Sequence, residues 1–276
     1  MSRRWTVLKL GGELLEEPGG MRELAAAIAR AAAAVPLVVV HGGGREIDAA
    51  LKRAGIVKRQ VDGVRVTDAA TLGVVVEVLA GAINTRFVAA INAAGGQAVG
   101  LTGADAGVAT VDPAPPHTAV DGTVTDLGYV GRPIAGSPPR LLTHLGSDGY
   151  LPVVASIGMN VDGALYNVNA DTMAAHVAGR LGAARLVIAG ATPGVLDEHG
   201  RTIAQLDCAA AAALIASGTA SAGMVAKLRA CQDAIGNGAA EVLLMDGRRA
   251  QAIEAVLTDA DSRRAGDSLT RMVACS

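Results

Sequence analysis

The chain has 276 residues, enough for one large or two modest domains with sizeable cores. Hydrophobic residues make up 51% and aromatic ones only 2%, so Ala, Val, Leu and Gly must build that core. The formal net charge is −2 without a dense basic block, which argues against nucleic acid as the main partner and leaves substrate charge to a few local groups.

"WTVLKL" (5–10) is predicted as a strand, followed by a helix over 20–34 and a second strand, "PLVVVH" (36–41). A helix over 45–55 and a long helical pattern over 68–94 come next, then the strand "QAVGL" (97–101). "LPVVAS" (151–156), "ARLVIAG" (184–190) and "AEVLLMD" (240–246) continue the series between helices near 138–148, 169–182, 207–216 and 222–236. Continuous apolar strands separated by helices indicate an α/β fold with an open, mainly parallel sheet sandwiched between helices. Residues 104–135 break the rhythm with Pro, Gly and Asp turns, and are expected to form β-hairpins over a site. The closing "DADSRRAGDSLTRMVACS" is expected to end in an edge strand. No repeat or low-complexity linker is visible, so two halves, 1–183 and 184–276, would share a tight boundary.

Cys208, Cys231 and Cys275 form no CxxC and no metal-ligand spacing, which suits a reducing compartment. The N-terminus starts basic, but Lys9 and Glu13 interrupt any signal-type apolar run. Residues 208–226 lack charge, yet "SGTASAG" (217–223) is too polar for a membrane span. The expected location is cytoplasmic.

"VLKLGGE" (7–13) puts Lys9 inside the first strand with two Gly after it, and "VVVHGGGREID" (38–48) ends the second strand in three Gly before a helix. Gly lets backbone N–H groups approach a ligand, and a helix N-terminus favours anions. Ligands of open α/β sheets bind at this C-terminal strand edge, so two such clusters point to anion binding. Neither cluster has GxGxxG spacing, and no GxxxxGK[ST] occurs, which disfavours a dinucleotide oxidoreductase and a P-loop enzyme. A lysine in a buried strand needs a counter-charge or a function. Arg65 in "GVRVTD" is either a surface strand residue or a bidentate carboxylate clamp. Asn167, Asn169 and Asp171 crowd the mouth of the helix that follows, where one cap would need only one of them. His41, ahead of the Gly triplet, is expected to support that turn.

"KLGG", "HGGG", "GVRVTD", "GLTGADAG", "DLGYVG", "YLPVVASIG", "YNVNADT", "PGVLD" and "GMVAK", in this order and spacing, resemble the acetylglutamate kinases of the amino-acid kinase superfamily. The likeness spans about Val7 to Arg248 and implies an amino-acid kinase-like fold. It further implies that Lys9 and Lys227 hold the transferring phosphoryl group from two sides, with Asp171 orienting both ammonium groups. Gly11, Gly12 and Gly44 would offer N–H groups to phosphates. Gly43, Gly44, Arg65 and Asn167 would bind N-acetyl-L-glutamate, with Arg65 on its α-carboxylate. Ala191, Thr192, Pro193, Gly194, Val195 and Leu196, together with Thr219, Ala220 and Ser221, would line the nucleotide site. The implied reaction is transfer of the γ-phosphoryl group of ATP to N-acetyl-L-glutamate in arginine biosynthesis, with Mg2+ arriving on ATP. A carboxylate nucleophile is already ionised at neutral pH and needs no general base.

Two departures fall in the nucleotide half: Ala191 in "GATPG" stands where the family usually has Asp, and "ASAG" (220–223) replaces a commoner Gly- or Asp-containing entry. A kinase of a related N-acylated acidic amino acid, or a non-catalytic sensor, is the alternative; Lys9, Asp171 and Lys227 together favour an enzyme. With a strand starting at residue 5, the extra N-terminal helix of arginine-sensitive relatives has no counterpart ahead of it. A homodimer through the 68–94 helix, without arginine feedback, is therefore expected.

Overall fold

Strands that are apolar on both faces need helices on both sides of their sheet. The computed structural model, which describes residues 5–119, 122–136, 139–218, 222–259 and 269–274, meets that need with one eight-stranded sheet. Its strands are β1 (Thr6–Leu10), β2 (Leu37–His41), β3 (Ala98–Thr102), β4 (Leu151–Ala155), β5 (Arg185–Gly190), β6 (Gln205–Asp207), β7 (Glu241–Asp246) and β8 (Leu269–Val273). They lie in the order β6–β8–β7–β5–β1–β2–β4–β3, and every neighbouring pair is parallel except β7–β8. The doubly covered parallel sheet matches the expected architecture. One pairing differs: the C-terminal strand β8 is not an edge, because the three-residue β6 pairs outside it.

The helices are α1 (Pro18–Ala34), α2 (Gly44–Arg53), α3 (Ala69–Val76), α4 (Asn84–Ala93), α5 (Arg140–Ser147), α6 (Ala170–Leu181), α7 (Cys208–Ala216), α8 (Ala222–Gly236) and α9 (Ala250–Thr258). Strand alternation sends Leu8, Leu10, Val39 and Val187 to one face, under Leu24 and Ile28 of α1, Phe87 and Ile91 of α4 and Ile253 of α9. Val7, Val38, Val40 and Ile188 point to the other, under Met173 and Val177 of α6 and Leu228 and Cys231 of α8. Lys9 shares the Val7 face by the same period of two, and therefore projects toward α6 and α8. This single register fact positions the site.

The expected long helix runs continuously over Ala69–Ala93, but Glu77–Ile83 is π-helical. By length and composition it could cross a membrane, as the one such helix among the described residues, yet it packs against the core through Val75, Leu79, Ile83, Phe87 and Ile91. Over 104–135 the expected hairpins appear as short pairs, Val111–Pro113 with Gly131–Pro133 and His117–Thr118 with Val124–Thr125. Gly128 (φ +67°) lets this region dock: a Cβ there would sit 2.4 Å from the Thr67 carbonyl, which accepts from Tyr129 N–H at 2.7 Å. Helix α9 and the hairpin of Ile157–Met159 with Leu165–Asn167 were not foreseen.

His41 closes β2 fully buried and makes the link to the long helix. Asn84 Nδ2 lies 3.1 Å from His41 Nε2 and 3.0 Å from the Val153 carbonyl, while His41 Nδ1 is 3.2 Å from the Gly42 carbonyl. Burial pushes the imidazole down to about 4 from its ordinary 6.5, so it is neutral at pH 7. Its contribution to stability is complete above pH 6.5 and is lost as pH falls through that value toward 4, because only the unfolded chain takes up the proton. Urea unfolding at pH 5 should show about 2 kcal/mol less stability than at pH 7 from this group alone, and His41→Gln should flatten the profile by that amount.

Candidate active site

The core of the site is an ion triad built from three distant segments. Lys9 from β1, only 6% exposed, meets Asp171 Oδ1 at 2.7 Å, and Lys227 from α8 meets Oδ2 at 3.3 Å. Asp171 stands in the first turn of α6, where a negative charge suits the helix dipole. Asn169 caps that helix by accepting from the N–H groups of Asp171 (2.9 Å) and Thr172 (3.2 Å), so the surplus polar residues divide into a cap and a charge. Burial pushes the Asp171 carboxyl up, and the two ammonium groups outweigh it, holding the group below the ordinary carboxylate range.

Beside the triad the two Gly turns touch. Gly12 opens a short 3-10 turn (Gly12–Leu14) and Gly43 caps α2, so the first N–H groups of both turns lack intrahelical acceptors. A Cβ on Gly12 would lie 2.6 Å from Gly43 Cα, and one on Gly43 would collide with Ile83 of the π segment. Gly44 faces open space. The expectation for Gly11 needs correction: its N–H donates to the Ala189 carbonyl at 2.9 Å, extending the β1–β5 ladder, and is not free for a phosphate. The room above Gly11 is instead filled by the carboxylate of Glu13.

Arg65 is buried and pre-positioned. Its Nη2 bonds to Asp48 and to the Gly44 carbonyl (3.3 Å), while Nη1 is buried without a partner. Burial pushes the Asp48 carboxyl up, but Lys58 and Arg65 hold it below its ordinary value. Asn167 donates to Thr67 Oγ1 at 3.2 Å, which ties the end of its hairpin to the "RVTD" segment. Thr67 and Arg65 lie two residues apart on the same stretch, which is thus tied to Gly44 at the start of α2 and to Asn167 at the end of its hairpin.

The loop after β5 leaves the strand that pairs with β1. Ala191, Thr192 and Leu196 are exposed, Pro193 is half-buried, and Gly194 and Val195 are buried, with Val195 N–H on Thr270 Oγ1 at 2.8 Å. Glu13 Oε1 accepts from Ala191 N–H at 3.1 Å, so an acidic group does approach position 191, supplied by residue 13. Thr219, Ala220 and Ser221 lie outside the described residues. Glu13, Asp48 and Asn84 are the polar groups around the site that the motifs did not single out.

This geometry can be set beside known proteins. The model of the amino acid kinase family matches residues 4–246. The chain belongs to that family. Among curated relatives, the acetylglutamate kinase of Sphingopyxis alaskensis is 42% identical over 248 residues, 88% of this chain and 82% of its own length. That of Erythrobacter litoralis is 43% identical over 251 residues, covering 89% and 83%. Solved structures share the fold at lower identity. N-acetylglutamate synthase from Neisseria gonorrhoeae, complexed with coenzyme A and N-acetyl-glutamate, superposes with a TM-score of 0.81 at 23% identity; the likeness covers 99% of this chain and 60% of the synthase. Carbamate kinase from Giardia lamblia bound to AMP-PNP gives 0.69 at 16%, with 99% of each chain covered. For this amino acid kinase, Gly12→Ala should drive the two turns apart, since the obstacle is backbone rather than a movable side chain. Turnover should fall sharply and stability by about 1–3 kcal/mol, read from denaturant midpoints beside initial rates.

Proposed function

We propose that the chain transfers the γ-phosphoryl group of ATP to the γ-carboxylate of N-acetyl-L-glutamate, giving N-acetyl-L-glutamyl 5-phosphate for arginine biosynthesis. The observation that carries this reading is the Lys9–Asp171–Lys227 triad, two cations on one carboxylate, beside a buried arginine with a free edge. The triad has one positive charge in excess and sits by unpaired N–H groups, a donor set that fits phosphate oxygens. Mg2+ would arrive on those oxygens, since Asp171 is already engaged by two ammonium groups.

A carboxylate oxygen forms the new bond to phosphorus as the bond from phosphorus to the ADP oxygen breaks. The nucleophile is ionised at neutral pH, so no residue has to take a proton. Lys9 and Lys227 neutralise charge on the transferring group, and Asp171 keeps the two from separating. Gly12 and Gly44 offer N–H groups to phosphates. Arg65 takes the α-carboxylate on its unpaired Nη1, and Gly43, Gly44 and Asn167 complete that side. Residues 191–196 and 219–221 carry the nucleotide, which divides the chain into a substrate half, 1–183, and a nucleotide half, 184–276.

Lys9→Ala and Lys227→Ala should lower kcat far more than they raise KM for N-acetyl-L-glutamate, because charge on the transferring group is met mainly in the transition state. Arg65→Ala should do the reverse, weakening substrate binding by about 2–3 kcal/mol, and Arg65→Lys should recover only part. ADP release measured with N-acetyl-L-glutamate against glutamate, aspartate and N-acetylaspartate tests the substrate; equal rates with all four would remove the assignment.

The same reading takes the enzyme as a cytoplasmic homodimer. The support for the dimer is the Ala69–Ala93 helix, with mean hydropathy 1.7 over a stretch only 39% buried within the chain. Gly73, Gly81, Ala82 and Ala89 face outward on it, small enough for a second helix to approach closely. Light scattering should give twice the chain mass, and Ala82→Arg should yield monomers.

A further inference from the structure

Away from the triad, a cavity of about 440 Å³ opens between α6, α8 and the arm around Arg132. Gly179 of α6 and Asn237, just past α8, both line it, and a Cβ on Gly179 would lie 2.6 Å from Asn237 Cβ. Four titratable side chains line it: Arg132, His176, Arg180 and Asp233.

Arg180 is held in place but not neutralised. Its Nη1 donates to the carbonyls of Val108 (3.1 Å) and Gly107 (3.4 Å), and its Nε is buried with no acceptor. Among the described residues no carboxylate comes within ion-pair distance of it, and burial lowers its proton affinity. A partly buried guanidinium without a counter-charge is costly, so its retention asks for an anion from outside the chain. Arg132, across the cavity, makes no hydrogen bond or ion pair among the described residues, and the field it shares is that of Asp233. Burial pushes the Asp233 carboxyl up despite Arg132 and Arg229. His176, pushed down to about 4 by burial and by Arg180, is neutral at pH 7; its Nε2 lies 3.4 Å from Arg180 Nη1 and helps hold that guanidinium without neutralising it. Two guanidinium groups and one carboxylate thus line a space of ligand size, and the carboxylate is in the field of Arg132 but not of Arg180.

We propose that this cavity is a second ligand site, taking a small anion with a carboxylate or phosphate group between Arg132 and Arg180. The planar fork of each guanidinium suits either oxyanion, and Asp233 would accept from any donor group the ligand carries beside its charge. The site is separate from the triad. Thr172, next to Asp171, lies at one end of the cavity, and Arg180 is nine residues on, about 13 Å along α6.

Calorimetric titration with inorganic phosphate and, separately, with succinate tests this on four proteins: the natural chain, Arg180→Gln, Arg132→Gln and Lys9→Ala. At least one anion should bind the natural chain at millimolar concentration or below, and the better one identifies the group the site takes. Lys9→Ala should keep this arginine-dependent binding and lose only the phosphate that the triad itself takes, while each arginine variant should lose about tenfold or more at the cavity, as expected for a charge-assisted contact. Arg132 lies on an exposed arm, so its variant keeps the test sound if Arg180→Gln disturbs α6. Failure of both anions to bind, no component of binding that either arginine variant weakens, or loss of all binding in Lys9→Ala would overturn the proposal, the last because it would place the anion at the triad alone.

Discussion

Three charges with one sign in excess, Lys9 and Lys227 against Asp171, are packed where the sheet meets α6 and α8. Removing charged groups from water costs several kcal/mol each, and a single carboxylate repays part of that for two ammonium groups. The rest of the fold near the site is arranged around this imbalance. Lys9 must leave β1 on the α6 face, which the alternation of Val7, Leu8 and Lys9 ensures. Asp171 must stay ionised at the start of its helix, which the cap from Asn169 and the dipole favour. Lys227 is brought in by the packing of α8 along α6 through Leu228 and Cys231. An anion entering beside the triad would relieve the imbalance, which is the physical reason for the phosphate reading proposed above.

The Gly turns answer to a different constraint, that of backbone contact. Gly12 and Gly43 can touch because neither carries a Cβ, and Gly43 leaves room for Ile83 from the π segment. The π segment, rare in helices and recurrent at functional sites, widens the helix where Asn84 must reach both His41 and Val153. The β2 turn, the long helix and β4 are thereby locked together by one amide. A neutral His41 suits this arrangement, since a proton on Nε2 would oppose the Asn84 donor.

Much of this was legible in the sequence, for reasons particular residues make plain. A lysine inside "TVLKL" has no reason to sit in a doubly covered strand unless something meets its charge, and Asp171 was surplus to the capping its helix needs. The parallel sheet showed itself through runs such as "LVVVH" and "RLVIAG", buried throughout. Other features left no local signal. Gln205–Asp207 is too short to show a period, so β8 looked like the edge it is not. Nothing in composition distinguishes π from α over Glu77–Ile83. Which N–H of "LGG" is spent on the ladder depends on pairing with Ala189, 178 residues away from Gly11. Glu13 looked like a charge that merely interrupts an apolar run, and only the folded chain brings it to Ala191.

The helices α6 and α8 link the two sets of unbalanced charge in the molecule. Asp171 opens α6 and Arg180 closes it, while α8 carries Lys227 and, six residues on, Asp233. The Lys227 contact is the longer of the two to Asp171, 3.3 Å against 2.7 Å, and Lys227 is the more exposed lysine. A small displacement of α8 against α6 would therefore be felt first at Lys227, whereas Lys9 is fixed by its strand register between Val40 and Ile188. At the far end of α6, a Cβ on Gly179 would lie 2.6 Å from the Cβ of Asn237, the residue just past α8, so the two segments pass closely there.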